Sequence, residues 1–184
     1  MRLFVALDLD PALRERVADA IRQLQEADGD AAWTRPENLH VTLKFLGEIP
    51  GSDLALVKEG VQAAVAGMPA FPFSLEGLGF FGSPRQVRIV WMGMRAGEDD
   101  CKLLMNRLDA QLDRFRKDDL PHAVHLTLGR PRSGRNREAL LQKLHDLQHQ
   151  QAGTGMAREI VLKESSLSGG GPRYAAVAAF RLEG

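Results

Sequence analysis

The sequence is short of several things at once, and each shortage removes a class of function. Cys101 is the only cysteine, so an intramolecular disulfide and a thiolate metal cluster are both excluded. A single thiol suits a reducing compartment, and a cytoplasmic location is expected. Neither charge sign dominates: Lys+Arg and Asp+Glu stand at 24 each, so no global field draws the chain to nucleic acid or membrane. An anionic ligand must therefore be met by a local arrangement of donors. No stretch approaches the ~20 apolar residues of a membrane span. The opening "MRLFVALDLDPALRER" has an apolar run too short for a signal peptide, broken by Asp8 and Asp10. Threonine is also scarce, at positions 34, 42, 127 and 154 only.

What is present fits one compact domain over residues 1–184, able to bury roughly 70% of its extended surface without metal or disulfide. Alternation predicts a strand at 2–9. Pro11 opens an amphipathic helix to about Ala27, with Leu13, Val17, Ala20, Ile21 and Leu24 on one stripe. A strand is expected at 39–46 and a helix from Gly51 to about Ala66, with Leu54, Val57, Val61 and Val65 inward. Two strands at 71–81 and 86–93 flank the turn "GSPR". A second long helix over 98–116 carries Leu103, Leu104, Leu108, Leu112 and Phe115. "HAVHLTLGR" is again strand-like; a helix from Arg137 to His149 and strands at 158–168 and 173–182 complete the chain. Strand, helix and motif strand thus occur twice, which predicts a duplicated α+β architecture of two facing lobes.

The repeated element is His-x-Thr. His40-Val41-Thr42-Leu43 and His125-Leu126-Thr127-Leu128 share a pattern 85 positions apart. On a strand, i and i+2 share a face, so each histidine projects with its threonine while the aliphatic pair faces a core. With so few threonines, two of five histidines acquiring this partner by chance has a probability of roughly 0.5%. An imidazole of pKa ~6.5 can serve as acid or base near neutrality. A hydroxyl is a compact donor for an anionic oxygen. Two such elements facing each other suit in-line displacement at phosphorus: one neutral histidine takes a proton from water, one protonated histidine protonates the leaving oxygen, and the threonines hold the non-bridging oxygens. No metal and no cofactor is called for.

These motifs resemble the paired signatures of the 2H phosphoesterase superfamily. "RPENLHVTLKFLGEI" (35–49) resembles the first signature of its RNA 2′,3′-cyclic phosphodiesterase branch, also known as LigT-like or 2′-5′ RNA ligase. "MRLFVALDL", "HLTLGR" and "SSLSGGGPRYAAVAAFRL" resemble the same branch in the same order. The resemblance implies a bilobal fold, two antiparallel sheets with outer helices facing across a central cleft. It implies a monomeric enzyme that acts on RNA ends bearing a 2′,3′-cyclic phosphate and leaves a 2′-phosphate, with 2′-5′ ligation as the reverse reaction. It casts His40 as proton donor and His125 as proton acceptor; the spacing alone does not assign the two. It also brings Phe45 and Arg130, each five positions after its histidine, to the substrate. Strict strand alternation instead puts a fifth residue on the core face; Gly129 offers relaxation before Arg130, and nothing comparable precedes Phe45. The resemblance departs at Val124, where the family usually has proline.

Other features carry less. His122-x-x-His125 would point to opposite faces of a strand, which argues against a metal pair. His145 and His149 read as a solvated helix face, Gly169-Gly170-Gly171 as a hairpin near the cleft, and Trp33 and Trp91 as core or rim packing. Arg35, Lys44, Arg85, Arg132, Arg135 and Arg173 flank the motif strands and would guide a nucleotide backbone. Two alternatives stay open: the same chemistry on a small cyclic phosphate (ADP-ribose 1″,2″-cyclic phosphate or a 2′-5′ oligonucleotide), and a non-catalytic module that grips RNA ends.

Overall fold

The structure, a computed structural model, describes residues 1–115, 123–169 and 171–183. His122 lies outside the described residues. Among the described residues, nine strands and four α-helices follow in the order β1 (Arg2–Asp8), α1 (Pro11–Gln25), β2 (Ala31–Trp33), β3 (His40–Glu48), α2 (Leu54–Val65), β4 (Phe71–Ser83), β5 (Gln86–Met94), α3 (Glu98–Gln111), β6 (His125–Pro131), α4 (Arg137–Asp146), β7 (Gln151–Ala157), β8 (Glu159–Ser168) and β9 (Gly171–Arg181). The expected α+β class and antiparallel pairing are what the chain adopts.

Sequence chemistry explains the ends of the elements. Asp10 caps α1, its carboxylate accepting from the Leu13 amide at 2.8 Å, and Pro11 occupies the first turn where its missing N–H costs nothing. The expected start of α2 at Gly51 is a single 3-10 turn, Gly51–Asp53, before the α-helix proper. On α3 the buried stripe is Cys101, Leu104, Met105 and Leu108, and Leu103 is exposed. Buried among apolar neighbours, the Cys101 thiol is pushed up to about 12, so it stays protonated and inert. β7, "QAGTGMA", reads as loop by composition; its backbone is recruited by β4, with Phe73 opposite Gly155 and Leu75 opposite Gly153. β2 is likewise a short recruit, pairing with β6.

The strand order is β7-β4-β5-β6-β3-β1-β8-β9, with β2 added on β6. Two runs of four strands therefore meet where β6 joins β3, and the register there rests on one pair, Val41 opposite Leu126. What the sequence suggests as two sheets is thus one curled sheet with a narrow seam. Helices cross between the runs: α1 follows β1 yet packs on β7, and α3 follows β5 yet packs on β3 and α2. The apolar side chains they bury form one cluster that runs through both halves, from Leu3 and Val5 to Leu104 and Leu126. Burial on that scale is the main favourable contribution to folding. Among the described residues, no helix is long and apolar enough to cross a membrane.

Candidate active site

The seam is where the two His-x-Thr elements come together. Val41 and Leu126, opposite each other, are fully buried, as are Leu43 and Leu128 within a few per cent. His40, Thr42, His125 and Thr127 therefore share the other face of the sheet. Continuing the register one step each way sets Thr127 across from His40 and Thr42 across from His125.

Each histidine is held in the same way. His40 Nδ1 lies 2.6 Å from the carbonyl of Asn38, and His125 Nδ1 lies 2.7 Å from that of Ala123. A carbonyl only accepts, so Nδ1–H donates in both rings and Nε2 is left as the free nitrogen. His40 Nε2 accepts from the Thr42 hydroxyl at 3.1 Å. The residue between carbonyl and ring, Leu39 or Val124, is buried in both strands. Val124 thus takes up the same inward position as Leu39, and the approach to the second motif does not need a proline.

Both rings are shifted toward the neutral form. Burial lowers His40 to about 4; the Asn38 carbonyl opposes this, nearby Lys163 lowers it further, and Asp8 raises it. His125 is also lowered, first by burial, then by Arg130, with the Ala123 carbonyl acting against both. Aromatic rings supply much of that burial. Phe4 stacks tilted on His40 at 5.0 Å between centroids, and Tyr174 meets the same ring edge-on at 5.3 Å. Phe81 meets His125 edge-on at 4.9 Å, backed by Trp91 at 5.5 Å. The Tyr174 hydroxyl is raised by burial, against the pull of Arg130 and Arg2, so Arg130 acts on both sides of the cleft.

Phe45 and Arg130 reach this face because both motif strands carry a β-bulge at the same place. On β3, Thr42 pairs with Ala6 and Lys44 with Val5, leaving Leu43 as an extra residue. On β6, Thr127 pairs with Trp91 and Gly129 with Val90, leaving Leu128 extra. A bulge reverses the alternation beyond it. Leu43 and Lys44 are accordingly both buried, as are Leu128 and Gly129, and Phe45 and Arg130 emerge exposed. Phe4 touches both His40 and Phe45, which ties Phe45 to the histidine side. The expectation that alternation keeps Phe45 inward is therefore wrong, and no glycine is needed to overturn it. Gly129 serves another purpose: a Cβ there would sit 2.6 Å from the Trp33 ring.

A family profile described as LigT like phosphoesterase matches residues 7–91. An RNA 2′,3′-cyclic phosphodiesterase of Methanothermobacter thermautotrophicus is 34% identical over 183 residues, covering 99% of each chain. The chain belongs to the LigT-like phosphoesterase family. Among solved structures of this fold, a Thermus thermophilus protein superposes with a TM-score of 0.85 at 25% identity, covering 100% of this chain and 99% of its own. Escherichia coli LigT, crystallised with 3′-AMP, superposes at 0.77 with 25% identity, covering 98% and 97%.

Reasoning from sequence overlooked Phe4, Phe81 and Tyr174, which enclose the two histidines from β1, β4 and β9. Tyr174 is the only tyrosine, lying in the "GPRYAAV" stretch that resembles the family, and that scarcity was the available signal. Trp91 packs behind Phe81, in keeping with its expected packing role. Lys44 is withdrawn from the backbone-guiding group: it is buried and its ammonium lies 2.5 Å from Asp109. His149 falls beyond α4, so it does not share a helix face with His145.

Proposed function

We propose that this protein hydrolyses RNA ends bearing a 2′,3′-cyclic phosphate to a 2′-phosphate by paired-histidine acid–base catalysis, the 184 residues working as one two-lobed domain. The observation that carries this reading is the twin anchoring of His40 and His125 by backbone carbonyls, with both Nε2 atoms left for chemistry on one face of the seam. The RNA 2′,3′-cyclic phosphodiesterase activity of the relatives supports the substrate class.

In this reading water attacks phosphorus and gives its proton to His125 Nε2, while the P–O3′ bond breaks and His40 Nε2–H protonates the departing oxygen. The Nδ1–H groups keep donating to the Asn38 and Ala123 carbonyls, which steadies each ring as it gains charge. Thr42, Thr127 and Arg130 hold the non-bridging oxygens. Phe45 offers an exposed aromatic face to the terminal base. His40 acquires its proton with the substrate: a phosphate anion beside the ring favours the imidazolium and offsets the burial that lowers it. With a 5′-hydroxyl attacking in place of water, the same transfers join a cyclic-phosphate end to it through a 2′-5′ linkage, a minor outcome in water.

The test is an assay with EDTA on a short RNA ending in a 2′,3′-cyclic phosphate, with the product separated as 2′- or 3′-phosphate. A 2′-phosphate product is expected. A 3′-phosphate would reverse the bond that breaks, and no turnover by the wild type would reject the reading.

A further inference from the structure

Five arginines gather at the end of β6 away from the histidines. Arg85, Arg88, Arg132, Arg135 and Arg137 line a cavity of about 380 Å³ between the β4–β5 turn and the β6–α4 loop, with Asp30 the single acidic lining residue. In a chain whose charges balance, this is a strong local concentration of one sign. Two of the five build the wall: Arg135 pairs with Asp28 at 3.1 Å, and Arg137 donates to the Arg85 carbonyl at 3.0 Å. The guanidinium groups of Arg85, Arg88 and Arg132 have no protein partner among the described residues and are exposed. Like charges held together without partners repel, and an anion is what relieves them.

The cavity continues from the catalytic strand. Arg130 stands on the histidine face, and Arg132 follows two residues on, where β6 leaves the sheet. From His125 to Pro131 the strand covers about 20 Å. One phosphate at the histidines cannot also reach the arginines, so a ligand that uses both carries phosphates along its length. The cyclic phosphate closes the 3′ end of a strand, and the remainder runs off in the 5′ direction.

We propose that the Arg85–Arg88–Arg132 cavity holds backbone phosphates of single-stranded RNA upstream of the reacting end, making the enzyme favour a strand over a mononucleotide. This rests on the reading above for which end reacts. Contacts of this kind position a strand without reading its sequence.

The double variant Arg88→Gln/Arg132→Gln tests it, against Arg158→Gln/Arg181→Gln, which makes the same charge change outside the cavity. With a short RNA ending in a 2′,3′-cyclic phosphate, the cavity variant should raise KM about 5- to 10-fold, leaving kcat and all constants for a 2′,3′-cyclic mononucleotide unchanged. Anisotropy with a fluorescent RNA ending in a 3′-hydroxyl needs no turnover. There the slope of log K against log salt should flatten by about 1.4, at 0.7 per lost contact on a single strand. Wild-type turnover of both substrates with an unchanged RNA KM in the cavity variant would overturn the inference and leave the cyclic phosphodiesterase reading standing. RNA affinity lost in the cavity variant, alongside a wild type without turnover, would do the reverse. Equal losses in the control variant would also overturn it, as a general charge effect.

Discussion

β3 and β6 carry the same device in different surroundings. Each presents histidine and threonine on one face, anchors Nδ1 on the carbonyl two residues back, and bulges after the threonine. The neighbours differ. His40 is enclosed by Phe4 and Tyr174 and lies close to the ion pair of Lys163 with Asp8, 2.5 Å apart and largely buried. His125 is covered by Phe81 and feels the charge of exposed Arg130. Duplicated backbone geometry makes the two rings alike in position, and the side chains around them make them unlike in proton affinity. Under the proposed mechanism, this difference is what would divide two copies of one element into acid and base.

The largest expected effect comes from breaking either copy. His40→Ala and His125→Ala should each lower kcat by about 10³-fold, within the range for general acid–base groups. The remaining pH dependence separates them. With His125 alone, activity should rise with pH and level off; with His40 alone, it should fall as pH rises. The opposite pattern would exchange the two roles. For the wild type, kcat/KM should peak below pH 6.5, because both rings are lowered in the free protein. An optimum above pH 7.5 would mean that burial does not lower both rings.

Next come the threonines. Thr127→Val should reduce kcat about 10²-fold as a donor to the transition state is lost. Thr42→Val should cost more, because it also removes the hydroxyl that meets His40 Nε2. Equal losses would mean that this hydrogen bond contributes nothing to chemistry.

The residues after the bulges should act mainly through KM. Arg130→Gln should raise it roughly 10-fold or more, as charge-assisted bonds to phosphate are lost. Phe45→Ala should raise it about 5- to 10-fold through lost stacking. Steady-state kinetics on the same RNA end read both; an effect of Phe45→Ala on stability in place of KM would return that residue to the core.

The subtlest test concerns the ion pair. Lys163→Met removes a cation that lowers His40 and leaves Asp8, which raises it, so the His40 titration followed by NMR should move upward. An unchanged titration would show that burial alone governs the ring. A stability effect accompanies this. Unfolded His40 takes a proton near pH 6.5, the folded ring only at about 4, so the unfolded state binds more protons between these values. Stability should therefore be lost as pH is lowered from about 6.5 to about 4, and His40→Ala should show a shallower loss in denaturant titrations.

The sequence by itself determined which motif residues share a face. The period of two placed His40 with Thr42 and His125 with Thr127, opposite Val41, Leu43, Leu126 and Leu128, because alternation is a local property of any strand. The α+β class and the positions of most helices followed from equally local periodicity and caps. Local rules end where residues distant in sequence meet. The bulges at Leu43 and Leu128 are register shifts against β1 and β5, which exist only once those strands pair. β7 has little strand character of its own and becomes one against β4. Phe4, Phe81 and Tyr174 arrive at the histidines from three other strands; burial lowers both rings, and Lys163 at His40 and Arg130 at His125 lower them further. Proton affinity depends on everything within a few ångströms, so only the tertiary structure could decide it.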